Sequence, residues 1–269
     1  MNRTICTISI LTIMLATITL VSAVKVTDPD VAAIWLFDED QKGEARDFSE
    51  NKHVGKIHGN VEWVKDGKFG GALSFEGNVS WIEVPDHPSL QFPKGQDFTI
   101  AVYIKTEMGA GSPPMIVAKN YQPAETRPWY ALYYANQAKA LDGHVSFFLR
   151  DNAGNSHHIA SSSLINDNEW HHVAGTRKGG TMKLYVDGVA EAEKGGADFD
   201  VGTNPAPLHI NGHLNRWLVC VLDEIVLVRR ALTDSEMEAL VKNGIEAMFM
   251  SVNRLDKLTT TWGKIKRDL

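Results

Sequence analysis

The chain has 269 residues, of which 43% are hydrophobic and 22% charged, values typical of a globular protein rather than a disordered, collagen-like or coiled-coil chain. Its formal net charge of −6 argues against a nucleic-acid partner, which usually requires a basic surface. The two cysteines, Cys6 and Cys220, are too few for a disulfide framework or a cysteine-rich zinc module. At roughly 100–200 residues per domain, the length predicts one large domain or two small ones.

The first residues are predicted to be a targeting segment. Residues 4–24 carry no charged side chain, and Val21-Ser22-Ala23 has the small-residue pattern of a signal-peptidase cleavage site. We therefore expect residues 1–23 to be removed and the mature protein to be secreted, periplasmic or on the cell surface, with no other membrane contact. A retained anchor is the alternative, because the uncharged run is about long enough to span a bilayer. After cleavage Cys220 remains, and its apolar surroundings predict a buried small hydrophobe.

The mature chain reads as many short strands separated by turns. The clearest is Phe98–Ile104, in which every second residue from Phe98 is apolar and shares one face of a half-buried strand. Asp187-Gly188 lies between two strand-like runs and predicts a hairpin. The other predicted strands are Val31–Phe37, Ala72–Phe75, Ser80–Val84, Met115–Lys119, Trp129–Tyr134, His144–Arg150, His157–Ser162, Trp170–Arg177, Met182–Asp187, Pro207–Asn211 and Val219–Val228.

One stretch near the C-terminus is predicted to be helical. Asp234–Lys242 follows Thr233, which together with Glu236 has the spacing of a capping box. Many short strands with close turns and a single helix indicate an all-β, antiparallel sandwich or barrel. We expect one such domain over residues 24–242, followed by a tail over residues 243–269.

Specific motifs follow one another in a fixed order through residues 31–242. They are Ala33–Glu39, Asp47–Gly55, Gly67–Phe75, Ile82–Asp86, Phe98–Ala101, Trp170–Thr176, Leu184–Gly188, Leu222–Ile225 and Arg230–Thr233. Together they resemble the laminin-G-like jelly-roll family of the concanavalin A-like lectin/glucanase superfamily. The resemblance implies a two-sheet antiparallel jelly-roll sandwich with one concave and one convex sheet. It implies no single activity, because members bind sugars, bind proteins or serve as accessory modules, so function has to be argued from a site.

The sequence shows no arrangement of catalytic residues. Glycoside hydrolysis needs two carboxylates that face each other across a sugar, and laminarinase-like relatives carry theirs at alternating positions of one strand. Asp223 and Glu224 are adjacent, so we expect them to point to opposite faces of their strand. The pairs His157-His158 and His171-His172 are split across strands in the same way. We therefore predict a protein that is not an enzyme, with an unusual polysaccharide hydrolase as a weaker alternative.

A structural calcium site is predicted at one end of the first strand. The resemblance implies that the first strand pairs with the last, which brings Asp38 near Asp223, and the loop from Asp47 to Asn51 leaves the same edge. Carboxylate, amide and backbone oxygens are the ligands that calcium prefers. We therefore expect Asp38, Asp47, Asn51 and Asp223 to bind Ca²⁺. The alternative is that Asp38 and Asn51 only cap turns.

A ligand site is predicted at the rim of the concave face. Aromatic rings and planar polar groups are the means by which proteins recognise sugars, and they are concentrated in three segments of the chain. The candidate binding residues are Tyr121, Arg127, Trp129, Arg150, Asn152, His213, Asn215 and Trp217. The alternative is that Trp217 is buried against the last strand and that one of Tyr130 and Tyr133, which lie on opposite faces of one strand, belongs to the core.

Two functions are therefore open. The first is a secreted, non-catalytic domain that recognises carbohydrate or glycoconjugate and holds a structural calcium. The second is a structural or protein-interaction domain whose partner is an extracellular protein. The sequence predicts neither the ligand nor the oligomeric state.

Overall fold

The computed structural model describes residues 25–40, 42–77, 79–109, 114–119, 127–134, 143–212 and 216–251. These residues belong to a unit that spans Lys25–Val252. The predicted signal segment lies outside the described residues, as do the candidate ligand residues Tyr121, His213 and Asn215. In the described ranges, no helix is long and apolar enough to cross a membrane.

Short strands are the main secondary structure of the described chain. They are β1 (Lys25–Val26), β2 (Val31–Trp35), β3 (Glu44–Ala45), β4 (Gly55–His58), β5 (Val61–Val64), β6 (Ala72–Glu76), β7 (Trp81–Val84), β8 (Phe98–Lys105), β9 (Met115–Lys119), β10 (Trp129–Tyr133), β11 (Ser146–Arg150), β12 (Ser156–Ala160), β13 (Trp170–Lys178), β14 (Thr181–Val186), β15 (Val189–Lys194), β16 (Leu208–Ile210), β17 (Val219–Val228) and β18 (Met250–Ser251). A 3-10 turn covers Pro88–Leu90, and the helix α1 covers Asp234–Phe249.

The strands form two large antiparallel sheets. Sheet 1 has the order β15-β14-β13-β8-β17-β6-β5, and β2 also pairs with β17. Sheet 2 has the order β12-β11-β10-β9-β16-β7-β4-β3. A third, two-stranded pair joins β1 to β18 near the ends of the described chain. This architecture confirms the predicted two-sheet antiparallel jelly-roll sandwich with one C-terminal helix.

The main core lies between the two sheets and follows the predicted alternation. Phe98, Ile100, Val102 and Ile104 of β8 all enter this core and are fully buried, while Ala101 belongs to a second apolar cluster on the opposite face of sheet 1. The hairpin at Asp187-Gly188 is also confirmed, because both residues have positive φ angles, 50° and 83°. Such angles suit the tight turns that join antiparallel strands. Cys220 is free and buried in the main core, as expected.

The helix α1 covers the outer face of sheet 1. Met237, Leu240 and Ile245 pack with Ala101 and Val226 of the sheet. The predicted capping box of Thr233 and Glu236 is present. The predicted helix Asp234–Lys242 corresponds to the first part of α1, because Gly244 has non-helical backbone angles (φ 81°, ψ 171°). A second helical part up to Phe249 and then β18 follow, so the folded unit includes the first residues of the predicted tail.

The loop after β3 is organised by one buried carboxylate. The Asp47 side chain accepts hydrogen bonds from the backbone N–H groups of Ile34 at 2.9 Å, Ser49 at 2.7 Å and His53 at 2.7 Å, and from the Ser49 hydroxyl at 2.7 Å. Asn51 adds a bond from its side-chain amide to the Ala32 carbonyl at 2.9 Å. The loop is thereby attached to β2, the strand that pairs with β17.

We predict that Asp47→Asn lowers the free energy of unfolding by about 3 kcal/mol, because the amide leaves buried backbone donors facing its NH₂ group. Denaturant unfolding followed by circular dichroism measures the change. Asp66→Asn, at an exposed position, is the matched control and is expected to change stability by less than about 0.5 kcal/mol. Equal losses in the two variants would contradict the assignment.

Candidate functional site

The residues of sheet 2 that point away from the main core form a surface that we call the outer face of sheet 2. Its register is fixed by one apolar row that faces the core, made of Ile57, Ile82, Ile210, Val117, Leu132, Phe147 and Ile159. Neighbouring residues of each strand point the opposite way. The row next to it therefore faces outward and consists of Lys56, Glu83, His209, Ala118, Ala131, Phe148 and His158.

An aromatic cluster occupies one part of this outer face. The Trp129 and Phe148 rings stack with centroids 4.3 Å apart, and the Tyr133 ring meets Phe148 edge-on at 5.6 Å. The Arg150 guanidinium lies 5.5 Å from the centroids of both Trp129 and Phe148. Because arginine over an aromatic face is attracted by the ring quadrupole, this contact orients the guanidinium at the edge of the cluster. Tyr130 enters the main core instead, as predicted for one of the two tyrosines.

Several of the predicted ligand residues meet at one end of strands β10 and β11. Trp129 pairs directly with Arg150 across these strands. Arg127 lies against the turn that follows Arg150, since a Cβ added to Gly154 would be 2.3 Å from its Nη1 atom. Asn152 is exposed in the same turn. Trp129 itself is only 2% exposed, so its ring stacks within the cluster and does not form an open platform.

Trp217 lies at the other end of these strands. The indole packs so closely on Gly212 that a Cβ atom at this position would lie 2.4 Å from the indole Cδ1 atom. The Gly212 N–H donates a hydrogen bond to the Met115 carbonyl. Met115 pairs with Tyr133, the last residue of β10, whereas Trp129 is the first. At about 3.4 Å per residue, the length of β10 separates Trp217 from Trp129 and Arg150 by more than about 10 Å. Those predicted ligand residues that the structure describes therefore do not form one compact site.

Four polar or aromatic residues that the sequence did not single out share the outer face of sheet 2. His58 pairs with Trp81, and Glu83 pairs with His209, across the neighbouring strands β4, β7 and β16. The His58 and Trp81 rings stack at 4.4 Å with an angle of 8° between them. The alternation of Trp81, Ile82 and Glu83 could have indicated that Trp81 and Glu83 share the outward face of β7. His58 could not be placed beside them, because β4 has one apolar residue and was not predicted to be a strand.

Three acidic residues come together on sheet 1. Asp38 accepts a hydrogen bond from Gly71 N–H at 3.1 Å, and Asp223 accepts one from Phe69 N–H at 2.9 Å, so the loop from Gly67 to Gly71 contacts both. The pKa of Asp223 is raised to about 7 and that of Glu224 to about 8, mainly by burial and to a smaller extent by neighbouring carboxylates. Burial also raises the pKa of Asp38. The cluster therefore holds protons more tightly than ordinary carboxyl groups do.

The expectation that Asp223 and Glu224 point to opposite faces is wrong, because β17 has a bulge at this position. Leu222 and Ile225 both enter the main core, so two residues instead of one lie between them. Glu224 has a positive φ of 41°, and its carboxylate accepts the N–H of Ile245 in α1 at 2.7 Å. Both acids thus lie on the side of sheet 1 that carries the helix.

The predicted calcium ligands are only partly brought together. Asp38 and Asp223 meet at the Gly67–Gly71 loop, and each oxygen of Asp223 accepts one backbone N–H, from Phe69 at 2.9 Å and from Glu224 at 2.8 Å. Asp47 instead accepts four hydrogen bonds, which hold it in the loop that it organises. The Asn51 amide likewise binds the backbone of β2. Among the described residues, no group of three His, Cys, Asp or Glu side chains is arranged to hold a metal ion. A cation at Asp38 and Asp223 would therefore also need backbone oxygens, which calcium accepts.

Solved structures share this fold at low sequence identity. The chain resembles the binding domain of Paraclostridial Mosquitocidal Protein 1 with a TM-score of 0.63 and 20% identity over 79% of this chain and 52% of that one. It resembles the binding domain of botulinum neurotoxin serotype G with a TM-score of 0.61 and 12% identity, over 79% of this chain and 50% of that one. The chain thus spans about half the length of these two domains.

A third neighbour matches over almost its whole length. It is domain 4 of AbnA, a GH43 extracellular arabinanase from Geobacillus stearothermophilus, solved in complex with arabinotriose. The TM-score is 0.63 with 19% identity, over 79% of this chain and 98% of that one. No curated protein matches the sequence.

The family assignment rests on the sequence itself. Residues 76–238, more than half of the chain, match the Laminin_G_3 family of the concanavalin A-like lectin/glucanases superfamily. The two-sheet antiparallel fold, with β2 paired to β17 and the helix on sheet 1, agrees with that match. The chain belongs to the laminin-G-like family of the concanavalin A-like lectin/glucanase superfamily.

Proposed function

We propose that the protein is an exported, non-catalytic domain that binds carbohydrate or a glycoconjugate through the outer face of sheet 2. The observation that carries the proposal is the combination of aromatic and polar side chains on the outer face of sheet 2, where the buried cluster of Trp129, Tyr133 and Phe148 has Arg150 at its edge. Sites that combine aromatic side chains with a few polar groups are typical of ligand binding.

The choice of sheet 2 follows from what covers sheet 1. The helix α1 packs on the outer face of sheet 1 and buries Ala101, Tyr185 and Val226 there. The outer face of sheet 2 instead carries residues that hydrogen-bond or stack with sugars in many proteins, namely tryptophan, histidine, arginine and glutamate. The arabinotriose complex of the AbnA domain is consistent with a sugar ligand for this fold.

A non-catalytic role is supported by the position of the carboxylates. The row that crosses the outer face of sheet 2 contains one carboxylate, Glu83. Asp223 and Glu224 are buried on sheet 1, on the side that carries α1. They therefore do not face a ligand bound next to Glu83 on the outer face of sheet 2. Since glycoside hydrolysis uses two carboxylates flanking one bond, this arrangement favours binding over turnover. The competing function is recognition of a protein; the toxin neighbours are likewise binding domains.

We expect arabinotriose to bind with a dissociation constant between about 1 mM and about 1 μM, as measured by isothermal titration calorimetry. Arg150→Ala should weaken binding about tenfold, because it removes the guanidinium at the edge of the aromatic cluster. Arg46→Ala is the matched control, since Arg46 also stacks on a ring, that of Phe48 at 4.9 Å, outside this face. If arabinotriose gives no binding heat and no sugar on a glycan array binds, the carbohydrate-binding function is contradicted and the protein-binding function remains.

We also propose that Asp38 and Asp223 hold a structural calcium ion together with backbone oxygens. The support is chemical: the buried carboxyl groups of Asp223 and Glu224 lie close to the half-buried Asp38, and their pKa values are raised to about 7 and about 8. Burying carboxylates without a positive charge is costly, so the cluster needs either protons or a cation. Calcium would replace the protons at higher pH. Asp47 and Asn51 are left out of this site, because their polar atoms hold their own loop.

The pH dependence of stability tests the calcium site. Because folding raises the two pKa values, the stability linked to them is complete below about pH 4 and is lost as the pH rises through about 7–8. Without divalent cations the melting temperature should therefore fall between about pH 5 and about pH 8. Calcium should restore it at pH 8 and change it little at pH 5, and Asp38→Asn should abolish the increase. Identical melting curves with calcium and with chelator at pH 8 would argue against the site.

A further inference from the structure

The four residues His58, Trp81, Glu83 and His209 form a cluster with unusual hydrogen bonding, which we call the His58–His209 cluster. Three buried ring nitrogens in it, His58 Nε2, Trp81 Nε1 and His209 Nε2, have no hydrogen-bond partner in the described part of the chain. Buried polar atoms are nearly always paired, because leaving one unpaired costs the full desolvation of the group. Within the described ranges, three such atoms on adjacent strands indicate a place where a bound group can complete the hydrogen bonding.

The cluster is built into the sheet rather than placed on a loop. Glu83 lies between Lys56 and His209 in the cross-strand register, and His58 lies opposite Trp81 two residues further along. The core-facing residues Ile57, Ile82 and Ile210 fix these directions.

The members of the cluster differ in exposure. His209 is 8% exposed, whereas the side chain of Glu83 is 41% exposed. Glu83 is therefore the member that a ligand meets first.

The spacing of the polar atoms points to a hydroxyl group as the ligand atom. Glu83 Oε2 lies 3.7 Å from His209 Nε2, which is too long for a hydrogen bond between them. The carboxylate only accepts, the indole N–H only donates, and a neutral imidazole nitrogen does either. Burial lowers the pKa of His209 more than Glu83 raises it, so the ring is neutral near pH 7. A hydroxyl, which both donates and accepts, satisfies this mixed set.

Other ligand classes fit less well. An anion such as sulfate or a carboxylate would lie against the Glu83 carboxylate and be repelled. A metal ion needs at least three suitably placed ligands, and the described residues offer no such group. An apolar ligand would leave the three nitrogens unpaired.

We propose that the His58–His209 cluster is a binding subsite for a neutral, hydroxyl-rich ring, in which one hydroxyl bridges Glu83 and His209 and another accepts from the Trp81 indole. The stacked His58–Trp81 pair forms the wall of this subsite. The proposal rests on the proposed carbohydrate-binding function and assigns a defined part of the outer face of sheet 2 to the sugar.

Titration of the ¹⁵N-labelled protein with D-glucose, D-galactose and L-arabinose tests the subsite, because the indole N–H of Trp81 gives its own resonance, assigned with Trp81→Phe. We expect that resonance to move and saturate with at least one sugar. The Trp63 indole, which donates to the Phe37 carbonyl at 2.8 Å on the other sheet, should not move. Glu83→Gln should weaken binding at least tenfold, and Glu62→Gln, at an exposed position of β5, should not change it.

The outcomes separate this subsite from the broader function. If the sugars shift only other indoles, such as that of Trp217, carbohydrate binding stands and the His58–His209 cluster is not its site. If no indole moves with any of the three sugars, the subsite is refuted, and the arabinotriose titration then decides the broader function by itself. If D-galacturonate shifts the Trp81 resonance at lower concentration than D-galactose, the site prefers anions and the proposal fails.

Discussion

The apolar row that crosses sheet 2 on its core side is the constraint on which the functional surface depends. Seven side chains from Ile57 to Ile159 pack against sheet 1 and cannot turn outward without losing a large area of buried apolar surface. Because side chains alternate along a strand, this row fixes every outward-facing residue of the sheet. Glu83, His209 and Phe148 face outward for this reason, whatever their own chemistry favours.

Sheet 1 is used differently by the same fold. Its central strand β17 pairs with β8, β6 and β2, and its outer face receives α1. The bulge at Asp223 and Glu224 directs two acids to that face, where Glu224 binds the backbone of the helix after the kink at Gly244. One sheet thus holds the helix and a buried acidic cluster, while the outer face of the other carries the aromatic cluster and the His58–His209 cluster.

Much of the fold was predictable because it follows from local rules. The alternation in β8, the hairpin at Asp187-Gly188 and the capping box at Thr233 each depend on a few neighbouring residues, and all three are confirmed. The helical residues after the kink at Gly244 were not predicted, because the Glu224 carboxylate that accepts the Ile245 N–H comes from a distant strand.

The candidate sites were harder to predict, because they depend on distant parts of the chain. Asp47 has the chemistry of a calcium ligand, but backbone donors from β2 and from its own loop occupy it. The adjacent acids of β17 share one face only because of a bulge, which simple alternation does not reveal. The His58–His209 cluster joins three strands that are far apart in sequence, so the sequence pattern did not bring its members together.

A crystal structure of the protein soaked with arabinotriose tests the central claim most directly, because it shows which surface the sugar contacts. We expect sugar density on the outer face of sheet 2, against residues of β7 and β16 or of β10 and β11. Density on the helix side of sheet 1, or only at loops that do not touch sheet 2, would contradict the assignment of sheet 2 as the ligand-binding sheet.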